Sequence, residues 1–228
     1  MSYNTDSITD NCYEGTTCLI NKFNIRDDKF NIRDEKQLNI IESQLTLAKI
    51  SLLNQNPING NFDFNHYKSI HKFIFEDLYD LAGEIRTIDI SKKGTLFVKA
   101  CDIEEISSAC FKLTSRTGSL NSNIEEISSA CFKRLKNKNY FKNLNIECFI
   151  DEITDFYSVT NNLHPFREGN GRTQRTFLTQ LAHNAGYEID FSEIDADDLL
   201  IATIHSSNGV NAYLKNILTK IISPLSDN

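Results

Sequence analysis

Proline and glycine are scarce in this chain, three and nine among 228 residues. So few turn-formers leave little room for a β-rich architecture or for long flexible linkers. No window approaches the run of about eighteen apolar residues that a membrane-spanning helix needs, which argues against a helical membrane protein. The first residues, MSYNTDSITDN, lack the basic-then-apolar order of an export signal, so a cytoplasmic location is expected. Cysteines are even in number, at Cys12, Cys18, Cys101, Cys110, Cys131 and Cys148, but no two are spaced C-x-x-C. Without an export signal they read as reduced thiols rather than as disulfides or zinc ligands. A surplus of positive charge is missing too. The formal net charge is -7, which argues against nucleic-acid binding as the main activity and leaves open a local basic pocket for a nucleotide's phosphates.

What is present suffices for a core: 40% of the residues are hydrophobic, with 15 Phe, in a chain of one-domain size. Residues 36–54, KQLNIIESQLTLAKISLLN, place Leu38, Ile41, Leu45 and Leu52 near helical spacing. Asp34 stands where it can cap that helix, with Gln37 three residues on. A second helix is expected over 64–82, its apolar face formed by Ile70, Phe73, Ile74, Leu78 and Leu81. The segment IRTIDISKKGTLFV at 85–98 is rich in Ile, Thr, Phe and Val around a Lys93-Gly94 turn, and predicts a β-hairpin. Further helices are expected at 101–112, 124–137, 145–162, 171–186 and 210–222. The fold class is mostly α with one short hairpin. Two local duplications interrupt it: FNIRDDK at 23–29 recurs as FNIRDEK at 30–36, and IEEISSACFK at 103–112 recurs at 124–133. Neither continues as an array, which argues against a solenoid.

The densest chemistry lies in HPFREGNGRTQR, residues 164–175. Helical periodicity ends at Asn161-Asn162, Pro165 opposes its continuation, and periodicity resumes after Gly171. The stretch is therefore a helix–loop–helix joint with Glu168-Gly169-Asn170-Gly171 as its loop. Glycines let backbone amides approach a ligand, and the N-terminus of the next helix adds its own amides and positive dipole end, together an anion site. Arg172 and Arg175, three apart, emerge on one face beside it. Glu168 next to bound phosphates would call for Mg²⁺ between them, held by one carboxylate plus phosphate oxygens. His164 titrates near neutrality and is placed to take a proton from an attacking hydroxyl. A base, a metal carboxylate, an amide cradle and two cations are the parts of a nucleotidyl or phosphoryl transfer.

These twelve residues match every defined position of His-x-Phe-x-(Asp/Glu)-Gly-Asn-Gly-Arg-x-x-Arg, and the chain thereby resembles the Fic family. HYKSIHKFIFEDLYDLAGEIRTIDISKKGTLF and YEGTTCLINKFNI upstream share the resemblance, which covers roughly residues 13–186 apart from the duplications. It implies a lead-in over 1–35 and a Fic domain over 36–228, with the flap at about 85–98, the duplicated insert at about 103–133 and the active-site loop at 164–175. It implies a protein adenylyltransferase that moves AMP from ATP to a Ser, Thr or Tyr hydroxyl of a target protein and releases pyrophosphate. His164 would be the general base and Glu168 the Mg²⁺ ligand. Gly169, Asn170 and Gly171 would form the phosphate cradle, with Arg172 and Arg175 on the outer phosphates. The hairpin would be a flap that registers the target by main-chain pairing, through Ile88, Asp89, Ile90, Ser91, Lys92, Lys93, Gly94 and Thr95. The alternatives are transfer of another nucleotide, phosphoryl transfer as in Doc-type relatives that lack the full Gly-Asn-Gly-Arg, or a non-catalytic docking adaptor.

One family feature is absent. Many Fic proteins carry an inhibitory (Ser/Thr)-x-x-x-Glu-(Gly/Asn) helix whose Glu pairs with the second motif arginine, here Arg175. Glu followed by Gly or Asn occurs only at Glu14-Gly15, where Asp10 stands in place of Ser or Thr, and in the motif itself. Inhibition is expected to be absent or supplied in trans by a small antitoxin-like protein.

Overall fold

The computed structural model describes residues 11–24, 32–92, 95–100 and 131–225; of residues 24, 92, 95 and 96 it describes the backbone alone. The helices expected at 101–112 and over the first part of 124–137, with the first copy of the longer duplication, lie outside these residues. Within them the chain is mostly helical, as its scarcity of breakers predicts.

Helix α1 spans Glu35–Gln55 and α2 Phe64–Phe75. Asp34 caps α1 by accepting the Gln37 amide at 2.8 Å, and Asp63 caps α2 by accepting that of His66 at 2.8 Å. The second helix stops well before residue 82. Turns over 76–83 instead carry Leu78 and Tyr79 into the interior, ending at Gly83 with φ 84°. The hairpin follows as β1, Ser91–Lys92, and β2, Thr95–Leu96, antiparallel with Ser91 opposite Leu96 and Lys92 opposite Thr95. Its Lys93-Gly94 turn lies outside the described residues.

Helix α3 is Cys131–Asn137, α4 Ile146–Leu163 and α5 Asn170–Ala185. The last two form the centre of the domain: Phe149, Ile153, Phe177, Leu178 and Leu181 are wholly buried. The end of the second IEEISSACFK copy belongs to this core. Phe132 is 6% exposed and meets the rings of Tyr67, Phe156 and Phe177 at 5.9, 5.5 and 5.9 Å.

Two features had no clear sequence signal. Helix α6, Ala196–Ser207, follows an Asp195 cap and buries Leu199, Ala202, Thr203 and Ser206, while Ile201 is exposed. A stripe of small and polar residues gives no apolar periodicity to read. After α7, Ala212–Ile221, the chain runs straight into β4, Ile222–Pro224, which pairs antiparallel with β3, Tyr187–Ile189. Strands of three residues, one of them containing a proline, fall below any period-2 pattern. Among the described residues no helix is long and apolar enough to cross a membrane, and Cys12, Cys18, Cys131 and Cys148 are not joined to one another by disulfides.

Candidate active site

Helix α4 ends at His164, whose backbone is left-handed, φ 41° and ψ 60°, immediately before Pro165. The loop that follows is shorter than its sequence suggests. Helix α5 starts at Asn170, so Asn170 and Gly171 occupy its first turn and Gly169 is the N-cap, with φ 78°. Gly169 is required twice over, for that left-handed backbone and because a Cβ there would lie 2.1 Å from Phe75 Cζ. The Asn170 side chain does not reach outward. It accepts the Phe166 amide at 2.8 Å and donates to the Phe166 carbonyl at 2.7 Å, closing the loop on itself. What Asn170 offers a ligand is its main-chain amide. With those of Gly171 and Arg172 it belongs to the first helical turn, whose N–H groups have no helical acceptor and sit at the positive dipole end.

Two buried side chains hold this loop from below. Phe166 points inward, with its ring 3.7 Å from that of His71 and 5.8 Å from that of Tyr67. His71 accepts the Gly83 amide on Nδ1 at 2.8 Å, so its proton sits on Nε2 and is donated to the Glu168 carbonyl at 3.0 Å. Burial pushes the His71 pKa down to about 4, with only partial opposition from the Glu168 hydrogen bond. The ring is neutral at physiological pH and serves as a rigid strut between α2 and the loop.

The charges are arranged around Arg172. Its Nη2 lies 2.5 Å from Glu42 Oε1 and 3.4 Å from Glu168 Oε1, its Nη1 donates to Thr46 Oγ1 at 3.2 Å, and its Cζ lies 4.8 Å from the centre of the Phe75 ring. Glu42 is 6% exposed and also accepts the Tyr79 hydroxyl. Burial, reinforced by Glu42's charge, pushes the Tyr79 phenol up, so it remains a donor. Glu168 turns Oε1 back onto the Gly169 amide at 2.8 Å, placing its own carboxylate at the mouth of the amide cradle. Arg175 lies beside the buried Tyr157 hydroxyl and, among the described residues, carries no ion pair. Of the apolar face expected for α1, Leu38 is buried and Ile41 and Leu45 pack against the core, but Leu52 is 51% exposed, and Glu42 and Thr46 share the buried side with Leu38 and Leu53.

On the other side, the His164 ring stacks flat on Phe97, centroids 3.8 Å apart and planes 13° apart. Its Nδ1 faces the Asn161 carbonyl at 3.2 Å. A carbonyl only accepts, so Nδ1 carries the proton and the lone pair of the neutral ring is on Nε2. Phe97 follows β2 directly, which puts the hairpin beside His164. Of the flap residues singled out, Asp89 and Ser91 are exposed, Ile88 and Ile90 half-buried; Lys92 and Thr95 are described by backbone alone, and Lys93 and Gly94 lie outside. Thus His164, Glu168, the amides after Gly169, Arg172 and Arg175 converge at one helix start with the hairpin alongside.

A family model described as the Fic/DOC family matches residues 61–182, more than half of the chain. The chain belongs to the Fic/DOC family. It is 32% identical over 211 residues to a probable protein adenylyltransferase, y4lH, of Sinorhizobium fredii, covering 92% of this chain and 94% of that protein. It is 29% identical over 192 residues to the protein adenylyltransferase VbhT of Bartonella schoenbuchensis, covering 84% of this chain but 36% of that protein, so it spans about a third of that relative's length. The Fic fold recurs in the crystal structure of BepC from Bartonella tribocorum with bound AMPPNP, at a TM-score of 0.79 and 23% identity over 96% of this chain and 99% of that one. At the level of the family, then, the activity is nucleotidyl transfer.

Residues outside the Fic motif complete the site: Glu42, Thr46, His71, Phe75, Tyr79, Arg86 and Phe97. Several lie in stretches that resemble the family, but none has a local signal for its partner. Glu42 is followed by Ser43, not by Gly or Asn, so it does not fit the inhibitory pattern.

Proposed function

We propose that this Fic protein transfers AMP from ATP to a Ser, Thr or Tyr hydroxyl of a target protein and releases pyrophosphate. The observation that carries the reading is the convergence of His164, the α5 amides, Glu168 and the two arginines at a single helix N-terminus. The target oxygen attacks the α-phosphorus of ATP, His164 Nε2 takes the hydroxyl proton, and the bond from the α-phosphorus to the bridging oxygen of the leaving pyrophosphate breaks. Amides of Asn170, Gly171 and Arg172 hold phosphate oxygens, and Arg172 and Arg175 take the outer phosphates. Glu168 fits a site for Mg²⁺: its side chain is 46% exposed and already lies against the anion cradle. One such carboxylate plus phosphate oxygens is the usual Mg²⁺ arrangement, and the ion would supply neutralisation of phosphate charge. The target docks on the edge of the hairpin over 88–95 by main-chain pairing.

The test uses purified protein with Mg²⁺ and lysate, supplied in parallel with ATP labelled on the α- or the γ-phosphate. Label on a protein band from the α-phosphate alone is the expected result. Label from the γ-phosphate instead would replace adenylyl by phosphoryl transfer, and label from neither would remove the reading. Regulation belongs to the same proposal. Arg175, without an ion pair among the described residues, is the open partner for a small inhibitory protein in trans, to be sought by co-purification from the native cytoplasm.

Glu42 is expected to weaken ATP binding, because its negative charge sits beside the phosphate site and shares Arg172. At an effective dielectric of about 20 and a separation of about 7 Å, the repulsion is about 2 kcal/mol, less some screening at the open mouth. Glu42→Gln, which retains an acceptor for Tyr79 and Arg172, should therefore bind ATP about tenfold more tightly in calorimetry. Unchanged or weaker binding would show that Glu42 serves instead to orient Arg172.

A further inference from the structure

One buried cation has no part in that chemistry. Arg86 is 4% exposed and stands between the turns after α2 and the flap. Its Nε donates to the His164 carbonyl at 2.8 Å, its Nη1 to the Ile88 carbonyl at 2.6 Å, and its Nη2 to the Val98 carbonyl. Its own amide donates to the Pro165 carbonyl at 2.9 Å, and the Val98 amide to that of Asn162 at 3.0 Å. Ile88 precedes β1 and Val98 follows β2, so one guanidinium spans both legs of the hairpin and ties them to the backbone of His164. Asp89, the nearby acid, contributes its field but turns Oδ1 to the Ala100 amide at 2.7 Å. Burying a charge costs several kcal/mol unless it is well solvated by fixed groups. Here carbonyl dipoles from three segments do that, and only a planar fork of donors reaches all three; a lysine ammonium does not.

The grip on His164 is twofold. Arg86 holds its carbonyl, and Phe97, on the outgoing leg, lies flat against its ring. A displacement of the flap would therefore carry the imidazole with it.

We propose that Arg86 is a positioning residue that makes the flap and His164 one rigid unit. A target strand registered on the flap then presents its hydroxyl at a set distance from Nε2. This deepens the adenylyl-transfer reading and rests on it. Misplacing reacting groups by about 1 Å costs up to about a hundredfold in rate. The full-length Arg86→Lys protein keeps the charge and loses the fork, and should lower AMP transfer at least tenfold at saturating lysate, an effect on kcat rather than KM. ATP affinity should stay within about twofold, and amide exchange should rise together at Arg86 and Val98. A lowered melting temperature with an unchanged rate per folded molecule and unchanged exchange would reduce Arg86 to a structural residue and overturn the proposal. If Arg86→Lys does not fold, the wild type decides: NMR should show the Arg86 Nε–H protected from exchange, and exchange as fast as that of a surface arginine sinks the idea. Should wild-type protein transfer no AMP at all, the enzymatic reading fails, while exchange and the Nε–H signal still report on whether flap and His164 are coupled.

Discussion

His164→Ala is expected to reduce AMP transfer by about a thousandfold while leaving the fold and ATP affinity nearly unchanged. The magnitude follows from the role. A positioned base contributes about 10²–10⁴ in rate, and no other described side chain offers a neutral lone pair at this point. The fold should tolerate the change because His164 is a helix C-cap at the protein surface, only partly buried, and its main-chain bonds to Arg86 and Thr160 do not involve the ring. Its left-handed backbone adds about 1 kcal/mol of strain for alanine. Single-turnover transfer and calorimetric ATP binding, measured side by side, check both halves. Residual transfer within about tenfold of wild type would mean that another group takes the proton.

Gly169→Ala should be the most damaging small substitution in the loop. A Cβ at this position lies 2.1 Å from Phe75 Cζ, and φ is 78°. The ring cannot step aside: it is fully buried between His71 at 4.7 Å and Tyr79 at 6.3 Å, under the Arg172 guanidinium. Left-handed strain of about 1–2 kcal/mol plus overpacking of about 1–3 kcal/mol gives a loss of about 3 kcal/mol. For a chain of this size that lowers the melting temperature by about 6–12 °C. Because Phe75 supports Arg172 and Gly169 caps the helix whose first amides face the ligand, ATP affinity should fall as well. A melt unchanged within about 1 °C would show that the loop relaxes freely and that the close approach does not constrain it.

The helices of this protein were legible wherever apolar residues recurred at helical spacing, as at α2 and α4. Where burial is polar, the stripe misleads. In α1, Leu52 fits the spacing yet points outward, because the face turned to α5 carries Glu42 and Thr46 for Arg172. In α6 the buried residues after Leu199 are too small or polar to register. The loop at 164–175 was legible as a constellation, but its helix starts earlier than expected, since Gly169 alone supplies the left-handed cap and Asn170 is spent on Phe166.

Local spacing was enough to set histidine, carboxylate, amides and two arginines at one helix–loop–helix joint, because all of them lie within twelve consecutive residues and a helix start orders such neighbours without outside help. What faces each of them came only from packing. Glu42 meets Arg172 across 130 residues, and Arg86 meets His164 across 78. Such contacts depend on which face of one element is pressed against another, and on the low-dielectric interior that makes an unpaired charge there costly. No periodicity within a segment encodes either condition.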